Sequence, residues 1–387
     1  MKEKVAPVVD EAIETLDMKD GPARRKLLKG AGLFSATAAA SALISACTSS
    51  SSSTAGTTKN AVGSFPSTPK WQFWFVNHVT TNPFFTPTQY GLADAAALLG
   101  LPTPKWGGSE TSTVSQMTNY MSTAISAKAD GIAVAVIDAN AFTSPIASAL
   151  NQGIPVLSYN ADGTFVNGQP KIGSNRLAYV GQALYISGQQ MGTEIAKLIP
   201  GGGNIAIFIA TPGTGNIQPR YDGAASVLKS KGFTIAEVAT GATTAVEQPA
   251  ENAYLLGHKS IKGAFAVDAG STGFLGAQLA AAGVKVPSGG FDTLPDTLTS
   301  LSGGQLDFTI YQDPYLQGFL PTLYLYLYNI SGGTLAPPDT DTGLTVVTKT
   351  NVGQYTTASR YQGSTTAQKY VPRPSGAIQS LPATTST

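Results

Sequence analysis

Trp71-Gln72-Phe73-Trp74-Phe75-Val76-Asn77-His78, running on into Val79-Thr80-Thr81-Asn82-Pro83-Phe84-Phe85, is the stretch whose reading decides the fold. Its first part is a continuous apolar run of aromatic and β-branched residues, and its second is rich in turn formers. This pattern predicts a buried strand leading into a turn. In open α/β sheets the crevice beyond the carboxyl ends of the strands takes small molecules. At that position the chain offers the imidazole of His78, the carboxamide of Asn82 and the rings of Phe84 and Phe85. A sugar needs hydrogen-bond partners around its hydroxylated rim and flat apolar surfaces against its C–H faces, so the set suits one. The plainer reading makes Phe84 and Phe85 the first apolar turn of the next helix, and Asn-Pro-Phe-Phe alone favours it.

Outward from this strand, short apolar runs alternate with longer amphipathic ones, the pattern of repeated β-α units on a parallel sheet. Gly131–Ile137, Ile154–Tyr159, Asn204–Ile209, Gly263–Val267, Pro287–Phe291 and Leu306–Ile310 read as strands. Helices are expected at Pro87–Leu99, Val114–Ala127, Ala141–Asn151, Ala183–Leu198, Arg220–Lys231, Pro249–Leu256, Ser271–Ala282, Leu294–Ser302 and Leu316–Ile330. Polar residues recur at the strand ends: Asp138 and Asn140, Asn160 and Asp162, Asp268, Asp292, and Gln312. A carboxylate ending a buried strand is costly unless a ligand, donor or water satisfies it, which points Asp268 and Asp292 toward a ligand.

The 387 residues carry 24 Lys and Arg against 23 Asp and Glu, a net charge of +1. This balance leaves no electrostatic footprint for nucleic acid. With two histidines and one cysteine, a zinc site built from them is close to excluded, and no metal or other cofactor is expected.

The cysteine is explained by its position. Arg24-Arg25-Lys26-Leu27-Leu28-Lys29 precedes the small, uncharged run Gly30–Ala46, which ends in Ile44-Ser45-Ala46-Cys47. The segment resembles a twin-arginine export signal joined to a bacterial lipoprotein cleavage box, with Ile44 in place of the commoner Leu. Residues 1–46 would then be an export signal and Cys47 the lipid carrier. Residues 47–68, dominated by Ser, Thr, Gly and Ala, would form a tether, and 363–387 a flexible tail.

Six ordered motifs, Asn82-Pro83-Phe84-Phe85, Asn160-Ala161-Asp162, Arg220-Tyr221-Asp222-Gly223, Asp268, Gly290-Phe291-Asp292 and Tyr311-Gln312, resemble those of the sugar-binding lipoproteins of ABC importers. The likeness, over Trp71–Ile330, is to the ribose, galactose and inositol type. It implies the type I periplasmic binding protein fold: α/β, with two Rossmann-like lobes of parallel sheet joined by three hinge crossings. One lobe would hold 69–182 and 313–332, the other 183–312 and 333–362. It further implies a monomer that captures a monosaccharide or cyclic polyol and delivers it to an ABC permease, held to the membrane by lipid at Cys47. The ligand-binding residues would be His78, Asn82, Phe84, Phe85, Asn160, Asp162, Arg220, Asp268, Asp292 and Gln312. Arg220 would reach into the cleft from a helix start, and Gln312 would sit at a crossing. Ribose-type members carry Asp-Arg where this chain has Asn160-Ala161, which puts ribose in doubt. Two other readings are a sugar receptor feeding a sensory system and a glycoside hydrolase using a pair among Asp162, Asp268 and Asp292. A regulator sharing the fold would need an amino-terminal helix-turn-helix in place of the export signal.

Overall fold

A computed structural model describes residues 68–163, 165–166, 169–170 and 175–356. The expected export signal, Cys47, nearly all of the tether and the tail lie outside the described residues. From Trp71 the chain forms β1 (Phe73–Asn77), a short 3-10 turn (Pro83–Phe85), α1 (Thr86–Leu99), β2 (Lys105–Gly108), α2 (Val114–Ser126), β3 (Gly131–Val136), α3 (Ala139–Asn151) and β4 (Val156–Asp162). A small hairpin of β5 (Phe165–Val166) and β6 (Gln169–Pro170) precedes β7 (Tyr179–Gly181). The alternation resumes with α4 (Leu184–Leu198), β8 (Gly203–Ile209), α5 (Gln218–Lys229), β9 (Phe233–Ala239), α6 (Thr244–Gly257), β10 (Gly263–Ala266), α7 (Ala269–Ala282), β11 (Ser288–Phe291), α8 (Pro295–Gly303) and β12 (Phe308–Tyr311). Then come α9 (Leu316–Ile330), β13 (Thr340–Asp341), β14 (Thr345–Thr348) and α10 (Gly353–Thr356).

The strands form two six-stranded sheets, ordered β13-β7-β4-β3-β1-β2 and β14-β12-β11-β10-β8-β9. Within these two sheets all pairings are parallel except the antiparallel edge pair β12–β14. Parallel strands carry helices on both faces, which is why β1 and β3 are buried at every position. Phe75 shares one core cluster with Met117, Met121 and Phe142, while Phe73 joins Leu325 and Tyr326 of α9 in another. Each such side chain contributes roughly 1.5–3 kcal/mol by leaving water.

Both halves use the same device to fix the helices that bear on the sheet ends. Gly91 and Gly318 bring α1 against α9, where a Cβ would lie 2.1 Å from the Tyr315 carbonyl oxygen or 2.0 Å from that of Thr88. Gly188 and Gly223 do the same for α4 and α5, with clashes at 2.1 Å on the Arg220 and Tyr185 carbonyls. Backbone touches backbone, so no larger residue fits without separating the helices. The second crossing fixes the helix that carries Arg220.

Three expectations need correction. The helix expected from Pro249 begins a turn and a half earlier, at Thr244, with Pro249 inside it. The strand expected over Ile154–Tyr159 begins at Val156 and runs through Asp162. The chain after Gly333 was expected in the second lobe, yet Thr340 and Asp341 pair with Val180 and Gly181 at the edge of the first sheet. Asp339 holds this edge by accepting from the Tyr179 N–H at 2.8 Å. So short and polar a strand has no apolar alternation to reveal it.

Candidate functional site

The carboxyl ends of strands from both sheets border one small hollow. Nine of the ten residues singled out from the sequence line it, all but Asp162. Asp162 is bound elsewhere: it accepts from Ser158 Oγ and forms an ion pair with Arg176, which also meets Asp339. Sequence pattern could not reveal this pairing, because the partner is 14 residues away in an irregular segment.

From the first half come neutral and aromatic groups. His78 follows β1, buried against the edge of Phe85 with ring centroids 5.3 Å apart. Burial lowers its pKa to about 4, so the imidazole is neutral at neutral pH. Asn82 caps the 3-10 turn, its Oδ1 accepting from the Phe84 N–H at 2.9 Å, and it faces the hollow as well. Phe84 and Phe85 are likewise both core and lining, sharing a cluster with Trp106. Asn160 is held at φ +62° and donates from Nδ2 to Gln317 Oε1 at 3.0 Å.

The second half supplies the charges. Arg220 is 3% exposed, lies 4.2 Å over the Phe291 ring, and donates to the Val267 carbonyl at 3.1 Å and to Gln182 Oε1 at 2.9 Å. Burial pulls its guanidinium below the ordinary value, while Asp292 leads the groups that pull it back. Asp292 stands at φ +73° and accepts from Gln312 Nε2 at 2.7 Å; burial raises its pKa to about 6 against the opposing effect of Arg220. Asp268 caps α7. It accepts from the N–H groups of Ser271 and Ala210, both at 2.9 Å, and from Ser271 Oγ at 3.1 Å. Burial still raises its pKa. The expected lone carboxylate is therefore largely engaged by the protein itself.

The passages between the halves are tied together by amides. Gln317 donates to Gln312 Oε1 at 3.0 Å and to Thr342 Oγ1 at 3.1 Å, and Thr342 in turn donates to the Gln312 carbonyl at 2.7 Å. Gln182 Nε2 donates to the Gly343 carbonyl at 3.0 Å. Across the hollow, Asn216 meets His78 Nε2 at 3.1 Å and the Gly215 N–H donates to the Ile137 carbonyl at 2.7 Å.

Ser112, Asn216 and Glu247 line the hollow without having been singled out from the sequence. Glu247 lay just ahead of the expected helix start at Pro249, which is why it escaped notice. Five buried side-chain atoms around the hollow have no protein hydrogen-bond partner: His78 Nδ1, Ser112 Oγ, Asn216 Oδ1, Arg220 Nε and Glu247 Oε2. Each such atom costs on the order of 1–3 kcal/mol, and their convergence marks a place built for a polar guest.

The family model described as periplasmic binding protein domain matches residues 73–329. The chain belongs to the periplasmic binding protein family. Proteins of this family bind solutes outside the cytoplasm and are not enzymes, which sets aside the hydrolase reading. The chain is 50% identical over 318 residues to the xylose/arabinose-binding protein XylF of Sulfolobus acidocaldarius, covering 79% of this chain and 78% of that one. Among solved structures, an ABC transporter solute-binding protein from Burkholderia graminis, in complex with D-arabinose, is similar at 28% identity and a TM-score of 0.67. That match covers 75% of this periplasmic binding protein and 99% of the other chain. A carbohydrate transporter protein from Acidothermus cellulolyticus, in complex with myo-inositol, is similar at 25% identity and a TM-score of 0.64, covering 74% and 96%. No helix among the described residues is long and apolar enough to cross a membrane.

Proposed function

We propose that this protein captures a neutral monosaccharide, a pentose of the xylose or arabinose kind first among them, and delivers it to an ABC permease. The observation that carries this reading is the ring of five unpartnered buried atoms around the hollow, donors and acceptors mixed, beside the rings of Phe84 and Phe85. A polyhydroxylated ring matches both requirements, since each hydroxyl donates and accepts while the C–H faces lie on phenyl planes. The name of the 50% identical relative supports a pentose. His78, Asn82, Phe84, Phe85 and Asn160 would meet the sugar from one lobe, and Arg220, Asp268, Asp292 and Gln312 from the other. A ligand that touches both lobes binds the closed form more tightly and so draws the lobes together. Asp162 has no part in this site.

The mature protein would be a monomer, tethered by lipid at Cys47. Replacing Cys47 by Ala would move the protein from the detergent phase to the aqueous phase on partition. A thermal-shift panel of D-xylose, L-arabinose, D-ribose, D-glucose and myo-inositol tests the ligand. A sugar present at 100 times its dissociation constant adds about 2.7 kcal/mol to the folded state. The expected result is the largest shift with a pentose other than ribose, and the absence of a shift with every sugar overturns the proposal.

A further inference from the structure

The second lobe carries a carboxyl group that the site described so far does not use. Glu247, on α6, is 1% exposed and lines the hollow, and its Oε2 has no hydrogen-bond partner. That oxygen rests over Gly270, where a Cβ would come within 2.0 Å of it. Glu247 also shares a hydrogen bond with Asp268. Asp268 already accepts from Ala210 N–H, Ser271 N–H and Ser271 Oγ, which leaves it little capacity for a guest. Glu247 has that capacity.

We infer that Glu247, more than Asp268, is the specificity-determining carboxyl of this site, presenting a free oxygen to one ligand hydroxyl while Asp268 holds it from behind. The inference rests on the sugar-binding function proposed above. Burial, and then the neighbouring Asp268, raise the Glu247 pKa to about 9, so the group is a neutral acid at neutral pH. Its proton lies on the hydrogen bond to Asp268, and its second oxygen accepts from the sugar. Two buried carboxyls sharing one proton avoid the cost of two adjacent negative charges.

The other titratable groups around it are Glu251 one turn along α6, Arg220 from α5, Asp292 after β11, and His78 from the first lobe. Glu251 is also held well above the ordinary carboxyl value by burial, and His78 is neutral above about pH 4. Of the two α6 carboxyls, Glu247 is the one that lines the hollow, and its ionisation falls at about pH 9. Ionised, it would stand against Asp268 with no shared proton, and its geometry at the sugar would be lost.

The test is calorimetric titration of wild type, Glu247→Gln and Glu247→Ala, beginning with D-xylose and continuing with whichever panel sugar binds best, between pH 6 and 10. Folding of each variant is checked by circular dichroism. Wild-type affinity is expected to hold through neutral pH and fall as pH rises through about 9. Glu247→Gln keeps a donor toward Asp268 and an acceptor toward the sugar, so it is expected to bind near the wild-type level without that fall. Glu247→Ala is expected to bind about ten- to a hundredfold more weakly. It is also expected to lose the discrimination wild type shows against one monodeoxy analogue of the sugar, with the other analogues unaffected. Unchanged affinity in Glu247→Ala, a pH 9 fall that persists in Glu247→Gln, or equal weakening toward every deoxy analogue would each overturn the inference. Wild type binding no sugar at all would overturn the proposed function with it, which separates the two failures.

Discussion

The two walls of the hollow differ in kind. The first lobe presents a neutral imidazole, two carboxamides and two phenyl rings, whereas the second presents a guanidinium among three carboxyls. The charged wall is built on the second lobe, with Arg220 fixed by the close crossing of α4 and α5, by a bond to Val267 and by one to Gln182 at the end of the first lobe. For a hinged binder this division has a clear consequence. Closing brings a neutral aromatic face onto a network already in place, so no strongly hydrated pair of charges must be stripped of water at that step.

The contrast can be broken most severely at Arg220. Arg220→Ala leaves the Val267 and Gln182 oxygens unpaired, removes the cation that offsets the burial of Asp292 and Asp268, and is expected to cost about 3–5 kcal/mol in urea unfolding. The same deletion logic predicts a smaller effect for the uncharged polar residues of the first-lobe wall, Asn82 and Asn160.

Acid and base sharpen the contrast next. His78 is held below its unfolded value, about 4 against 6.5. Its contribution is present above pH 6.5 and is lost as pH falls toward 4, on the order of 3 kcal/mol. Asp292 runs the other way, with a folded value of about 6 against 3.8. Its contribution is present below pH 3.8 and is lost as pH rises through 6, by a similar or smaller amount of roughly 3 kcal/mol. Ligand-free stability curves from pH 3 to 8 should flatten on the acid side in His78→Gln, and lose their decline between pH 4 and 6 in Asp292→Asn.

Smaller still is Asn82→Ala, which removes the cap of the 3-10 turn and should cost about 1 kcal/mol in stability while also weakening sugar binding. The smallest expected effect is on affinity in Asp162→Asn. Stability should fall modestly through the weakened pair with Arg176, and the dissociation constant for the sugar should not move, as titration of the folded variant would show.

The turn after β1 was legible because its signals are local. Apolar residues followed by Asn-Pro-Phe-Phe specify a buried strand, a capped turn and two inward rings within fifteen residues. Asp268, Asp292 and Gln312 were legible for a related reason, since a polar residue closing a buried strand has few places to go. Asp162 was misjudged from the same cue, because the competing partner Arg176 lies outside any repeating pattern. Glu247 was missed because Pro249 signals a helix start, whereas here the proline is accommodated within the helix, a turn and a half from its beginning. Gln317 and Thr342, which bind the crossings together, are polar residues of ordinary appearance whose meaning comes only from meeting Gln312.

Local chain chemistry alone determined that this protein alternates buried strands and helices, that the strand ends carry polar groups, and that charge is nearly balanced. Periodicity and turn preference act over a few residues, so one dimension is enough to read them. The tertiary structure decided which of those polar groups share a hollow, which are consumed by a neighbour, and which half claims the edge strand Thr340–Asp341. It also decided the protonation of His78, Asp292 and Glu247, because desolvation and partner distance arise only when segments far apart in sequence pack together.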